Sequence, residues 1–208
     1  MKEKKNLSLI CVYNNKEQLD KYLLKSYKKQ NIECQLILID NRNNKFACAV
    51  DAINDGIKKA TTTNIIILHQ DIYFEKEDVL IKLYERIDKS HNEIIGVAGT
   101  KYEQRRVYTA ITHGFKKEKA GLNVMNYGEE EEVFVLDECL FGFKKDILKK
   151  INFDNQTCDN WHFYAVDLCY QANLNNIKVI CYGANIWHAS SGSKTHSFYE
   201  TLRKMQKK

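Results

Sequence analysis

Short apolar runs recur along this chain, and polar residues follow each run without a break. The central example is Asn64-Ile65-Ile66-Ile67-Leu68 followed by His69-Gln70-Asp71. Four consecutive apolar residues, three of them β-branched, predict a strand buried on both faces of a mainly parallel sheet. Two earlier runs have the same form: Leu7 to Val12 ends at Tyr13-Asn14-Asn15, and Gln35 to Ile39 ends at Asp40-Asn41. Between them, Leu19, Tyr22, Leu23, Ser26 and Tyr27 recur at helical spacing and predict an amphipathic helix over 16–29. Asn15 stands at its N-cap and Gln18 in the capping-box position. Ala49, Ala52, Ile53, Ile57 and Ala60 predict a second helix. A β-α-β-α-β succession of this kind winds a parallel sheet by right-handed crossovers. The three polar groups are therefore expected on one carboxyl edge, where open α/β sheets bind ligands.

Beyond this unit the pattern predicts a helix over 77–89 and a strand over 94–98. Residues 101–132 are polar and expected to be irregular and mobile, ending in Glu129-Glu130-Glu131-Glu132, which reads as a solvated loop. A strand over 133–136 runs into Asp137-Glu138. A short helix over 144–150, a longer one over 160–174, a strand over 177–182 and an extended piece over 186–188 follow. The expected organisation is a single α/β domain over 1–192, divided near residue 98, with a basic helical tail over 193–208.

Composition narrows the function classes. With 208 residues the chain is long enough for one ordinary core, and with no proline and nine glycines it has no linker or low-complexity block. The net charge of +5 is spread along the chain apart from lysine clusters near its two ends, so no nucleic-acid module is expected and at most peripheral membrane contact. Seven cysteines form an odd number without a Cys-x-x-Cys pair, which fits buried thiols in a reducing cytosol. No apolar run reaches the length of a membrane span or a signal-peptide core, and the expected location is cytoplasmic. The absence of G-x-G-x-x-G, G-x-x-x-x-G-K-[ST] and G-x-S-x-G argues against glycine-loop nucleotide binding and against hydrolase triad chemistry.

One ordered set of motifs carries a resemblance. Ser8 to Asn14, Leu38-Ile39-Asp40-Asn41, Ala52-Ile53-Asn54-Asp55-Gly56-Ile57 and Leu68-His69-Gln70-Asp71 resemble, in order and spacing, the nucleotide-sugar half of family 2 glycosyltransferases of the GT-A fold. Asp137 before Phe141-Gly142-Phe143-Lys144-Lys145, Phe153-Asp154, Asp167-Leu168-Cys169 and Trp187-His188-Ala189-Ser190 agree with the second half. The resemblance covers about residues 7 to 192.

It implies a metal-dependent hexosyltransferase that moves a hexose or N-acetylhexosamine, with inversion, from a nucleoside-diphosphate sugar, UDP-sugar first among them. The acceptor would be a glycan, a lipid-linked molecule or a protein. By the same resemblance Tyr13, Asn14, Asp40 and Asn41 would contact the donor, and His69-Gln70-Asp71 would stand in place of the D-x-D metal motif. Asp71 and His188 would then ligate a divalent cation, Mn2+ or Mg2+, with His69 and Gln70 among the substrate-binding residues. Trp161, His162 and Tyr164 would wall the sugar site. Three departures qualify this: Cys11 replaces a proline, His69 replaces the first carboxylate, and Tyr164-Ala165 replaces the Glu-Asp that commonly holds the catalytic base. Asp159, Asp137 and Asp167 are the remaining candidates for that base. A non-catalytic sugar-nucleotide or glycan-binding protein of the same fold is the alternative.

Overall fold

A computed structural model describes residues 2–102, 106–119, 123–190, 192 and 195–208. Strand β1 (Glu3–Tyr13) leads through α1 (Lys16–Leu19), a π-helical stretch at Asp20–Leu24 and α2 (Lys25–Tyr27) to β2 (Ile32–Asp40). Then come α3 (Ala49–Lys59), β3 (Asn64–Leu68), β4 (Ile72–Phe74), α4 (Val79–Lys89) and β5 (Glu93–Gly96). Short strands occupy the next stretch: β6 (Ala98–Thr100), β7 (Val107–Thr109), β8 (Thr112–His113), β9 (Glu118–Lys119), β10 (Asn123–Val124), β11 (Glu130–Glu132) and β12 (Val135–Leu136). The chain continues with β13 (Leu140–Lys144), a 3-10 turn at Lys145–Lys149, α5 (Tyr164–Leu174), β14 (Lys178–Tyr182), β15 (Ile186–His188) and α6 (His196–Met205).

The main sheet has seven strands in the order β11-β14-β5-β13-β3-β1-β2. β3, β1 and β2 are mutually parallel and β14 is parallel to β5, while β13 runs antiparallel between β3 and β5 and β11 is an antiparallel edge. Alternation along the strands divides the core. Ile10, Ile65 and Ile67 pack with α3 and α5, while Leu9, Cys11, Ile66 and Leu68 face α1 and α4. All five residues of β3 are buried, as its apolar run predicts. From β1 the chain goes to β2 on one side and returns to place β3 on the other. This puts a topological switch point at the carboxyl ends of β1 and β3, with Tyr13 opposite Asp40 in register.

Several expectations are corrected in detail. Asn15 caps α1 as expected, its side-chain oxygen accepting from the Gln18 backbone N–H at 3.1 Å. The strand over 94–98 is divided at Val97: β5 stays in the main sheet, and β6 joins a second sheet with β12, β7 and β10. Of the run 133–136 only Val135 and Leu136 form a strand, in that second sheet, while the Val133 and Phe134 N–H groups bond the Val179 and Thr100 carbonyls. The stretch 101–132, expected to be irregular, carries β7 to β11, and its residues 103–105 and 120–122 lie outside the described residues.

The apolar pattern does not predict β13, whose sequence, Leu-Phe-Gly-Phe-Lys, has glycine at its centre, which weakens a strand pattern. Close packing requires that glycine, since a Cβ on Gly142 would stand 2.6 Å from the Ile65 carbonyl oxygen and 2.7 Å from Ile87 Cδ1. The helix expected over 160–174 begins at Tyr164. Before it, the Asn160 side chain accepts from the His162 N–H at 3.0 Å and Phe163 takes a left-handed φ of 67°. The expected tail contains α6, which packs Phe198 on Phe163 and His162; Ser193 and Lys194 lie outside the described residues. No helix among the described residues is long and apolar enough to cross a membrane.

Candidate active site

The parallel arrangement of β3, β1 and β2 brings Asp71, Asn14 and Asp40 to one edge. A cavity of about 210 Å³ opens there, lined by Tyr13, Asn14, Asn41, His69, Gln70, Asp71, Trp161 and Tyr164 with Ala49 and Ile53 of α3 beneath. A third sheet, in the order β4-β15-β8-β9, follows directly on Asp71 through β4. β15 pairs antiparallel with β4, so His188 stands opposite Ile72 and next to Asp71. Its Nε2 lies 3.4 Å from Asp71 Oδ1 and 3.4 Å from His69 Nδ1. One donor atom from each of His69, Asp71 and His188 lies within 4.8 Å of the others.

This trio has the chemistry of a cation site. Asp71 Oδ1 is buried and receives no hydrogen bond among the described residues, an arrangement that costs free energy unless a positive partner meets the oxygen. Burial opposes ionisation of Asp71, but the His188 and His69 imidazoles outweigh it and hold the pKa below the ordinary aspartate value. Burial, followed by repulsion from His188, lowers the pKa of His69 and so favours the neutral ring, which can offer a lone pair. The other His69 nitrogen, Nε2, is 3.0 Å from the Tyr164 hydroxyl, and this contact fixes the ring. Two imidazoles and one carboxylate suit a transition ion better than Mg2+, which prefers an all-oxygen shell.

The remaining expected residues take different places. Tyr13 lines the cavity, while Asp40 beside it is gripped by Arg42, whose Nε lies 3.0 Å from Oδ1 and whose second terminal nitrogen lies 2.6 Å from Oδ2. The Arg42 guanidinium is 5.8 Å from the Tyr13 ring centroid and holds the Asp40 carboxyl well below the usual range. The Asn41 amide is used within its own loop, bonding the Phe46 carbonyl at 3.2 Å and the Phe46 N–H at 2.8 Å. Gln70 binds the β1–α1 loop: its oxygen accepts from the N–H groups of Asn14 at 3.0 Å and Asn15 at 2.9 Å. Trp161 and Tyr164 wall the cavity, whereas His162 turns to Thr195 and Phe198.

The three candidate bases have different partners. Asp159 is ion-paired with Lys204 of α6. Asp167 is buried and pairs with Lys208 at 2.6 Å and with the Gln171 amide at 2.7 Å. Asp137 is exposed and contributes an oxygen within 4.8 Å of donor atoms on Cys139 and His188.

Four further residues emerge only from the structure. His113 stacks edge-on against His188 with ring centroids 5.1 Å apart, yet it comes from a stretch without readable periodicity. Cys139, Arg42 and Glu138 are the others. Arg42 lies two residues after Asp40, a spacing at which a side chain can fold back on a turn, and that is the signal that could have found it. The Glu138 carboxyl lies near the start of α5, where the backbone N–H groups of Tyr164, Ala165 and Phe163 favour its charged form, while its Oε1 is buried without a hydrogen-bond partner among the described residues. Burial, reinforced by Asp137, raises its pKa well above the glutamate value. A carboxyl from the β12–β13 turn thus faces the helix turn where the sequence has Ala165.

A doubly wound sheet with a polar cleft at its switch point is the architecture of a GT-A glycosyltransferase. The chain belongs to the glycosyltransferase-like family, whose model matches residues 8–208. Among solved structures it is similar to GalNAc-T7 in complex with UDP, GalNAc and Mn2+, with a TM-score of 0.62 at 11% identity over 96% of this chain and 48% of that one. It is also similar to residues 1–349 of S. aureus TarS in complex with UDP-GlcNAc, with a TM-score of 0.57 at 17% identity over 98% of this chain and 65% of that one. The chain therefore spans about half to two thirds of the length of these neighbours. No curated protein matches its sequence.

Proposed function

We propose that this protein transfers a hexosyl or N-acetylhexosaminyl unit from a nucleoside-diphosphate sugar, UDP-sugar foremost, to a glycan, lipid-linked or protein acceptor with inversion at the anomeric carbon. The observation that carries the reading is the convergence of His188 on His69 and Asp71, two residues that line the cavity together with Tyr13 and Asn14. Neighbours of the same fold crystallised with UDP or UDP-GlcNAc, one of them with Mn2+, support it. His69, Asp71 and His188 would hold the divalent cation, Mn2+ in preference to Mg2+. When bound, such a cation supplies positive charge to the diphosphate oxygens as the glycosidic bond breaks.

The chain's own groups do the rest. Tyr13, with Arg42 above it, offers an aromatic and cationic surface for the nucleoside, and Gln70 holds the Asn14 backbone that borders it. Trp161 and Tyr164 exclude water from the sugar side of the cavity. Asp137, exposed beside His188, is the base that accepts the proton of the attacking hydroxyl. Asp159 and Asp167 are each held by a lysine away from the cavity lining and serve to anchor α6 and its C-terminal turn.

Donor turnover with Mn2+, compared between the wild type and Asp71→Ala, tests the proposal. Release of UDP by the wild type and its loss in the variant is the expected result. A wild type that binds UDP-sugar without turnover would favour the non-catalytic reading, which draws its support from Ala165 at the position where the resemblance expects a carboxylate.

A further inference from the structure

His188 belongs to two groups of ligand atoms. On one side stand His69 and Asp71. On the other, a carboxylate oxygen of Asp137, Cys139 Sγ and a ring nitrogen of His188 lie within 4.8 Å of one another. The second group differs in chemistry because it contains a thiol. A thiolate, an imidazole and a carboxylate with one open position form the donor set that Zn2+ and other thiophilic ions prefer, whereas Mn2+ gains little from sulfur. Its construction is firm on two sides. Cys139 is fully buried, its N–H bonds Asp137 Oδ1 at 2.8 Å, and His188 is held in β15 between β4 and β8. The third side is open to solvent, since Asp137 is exposed and provides an entry path.

We propose that Asp137, Cys139 and His188 form a second cation site, selective for Zn2+ and similar thiophilic ions, whose occupancy competes through His188 with the His69–Asp71–His188 site. As the ion binds, the metal–sulfur bond forms and the thiol proton leaves to solvent; no electron is transferred. Occupancy also engages the Asp137 carboxylate. On the reading of the function given above, zinc at this site would therefore inhibit transfer even in the presence of Mn2+. The site itself rests on geometry alone and can be tested without any turnover.

The test titrates the full chain with Cd2+, an ultraviolet probe for thiolate coordination, and with Zn2+ against a chromophoric chelator. The wild type is expected to develop a cadmium–thiolate charge-transfer band that saturates at one equivalent, and Cys139→Ser to lose it. Zn2+ affinity should fall at least tenfold in Cys139→Ser and in Asp137→Asn, and Zn2+ should raise the apparent Mn2+ dissociation constant of the wild type alone. Far-ultraviolet dichroism checks folding, and Asp137→Asn carries the test if the cysteine variant does not fold. No thiolate band in the wild type, equal Zn2+ affinity in the folded variants, or Mn2+ binding indifferent to Zn2+ would each overturn the proposal.

Discussion

The Gln70 side chain holds Asn14 at both ends: its oxygen accepts the Asn14 backbone N–H at 3.0 Å and its amide nitrogen donates to Asn14 Oδ1 at 2.8 Å. Residues 56 positions apart are thereby joined, and the loop after β1 is fixed to the end of β3. Gln70→Ala should release that loop. A loss of about 1–2 kcal/mol is expected for hydrogen bonds of this kind, and it should show as UDP affinity roughly tenfold weaker in calorimetry, with the far-ultraviolet spectrum unchanged.

Asp71 Oδ1, like Glu138 Oε1, is buried without a hydrogen-bond donor among the described residues, so the charge of Asp71 matters more than its shape. Asp71→Asn is expected to keep the fold and to abolish the Mn2+-dependent part of the thermal stabilisation by UDP. Turnover should fall on the order of 10²-fold or more. His188→Ala should do the same, and a Mn2+ shift left intact in both variants would remove the cation from this site.

Asp137 and Asp159 make a controlled pair. Asp137→Asn should lower the transfer rate on the order of 10²–10⁴-fold, the range for a lost general base, with little change in donor KM. Asp159→Asn breaks only a half-exposed pair with Lys204 and should cost about 0–1 kcal/mol in urea unfolding, leaving the rate within twofold of the wild type.

Acid should find a weak point at Asp154. Burial opposes its ionisation, yet the Thr157 hydroxyl, the Lys208 ammonium and two backbone N–H groups outweigh this and bring its pKa down to about 2. A folded-state value below the unfolded one, roughly 3.9, stabilises the fold above that unfolded pKa, and the contribution is lost as pH falls through about 2. Unfolding measured from pH 5 to 2 should therefore lose at most about 2 kcal/mol from this group. Asp154→Asn should flatten that part of the curve.

Gly142 admits no side chain, because the Cβ position meets the Ile65 backbone oxygen at 2.6 Å. Gly142→Ala is expected to destabilise the protein by about 1–3 kcal/mol, as overpacking does, and to lower its melting temperature while leaving nucleotide affinity per folded molecule unchanged.

Much of the fold was legible because burial writes itself into local pattern. The runs ending at Tyr13, Asp40 and Leu68 are strands, and the polar residues after them share one edge, since parallel strands joined by right-handed crossovers can place them nowhere else. β13 was not legible, because its insertion against the grain of β3 and β5 depends on partners from both, and Gly142 marks close contact rather than periodicity. The same division holds at the site. The sequence by itself determined that His69, Gln70 and Asp71 end a buried strand at the ligand edge. The family resemblance already paired His188 with Asp71, but only the tertiary structure decided that His69, 119 positions from His188, joins them, that Asp137 and not Asp159 or Asp167 stands beside His188, and that Gln70 holds a loop. Strand formation follows from the order of neighbours along the chain, whereas a ligand cluster depends on which distant segments the sheet order brings together.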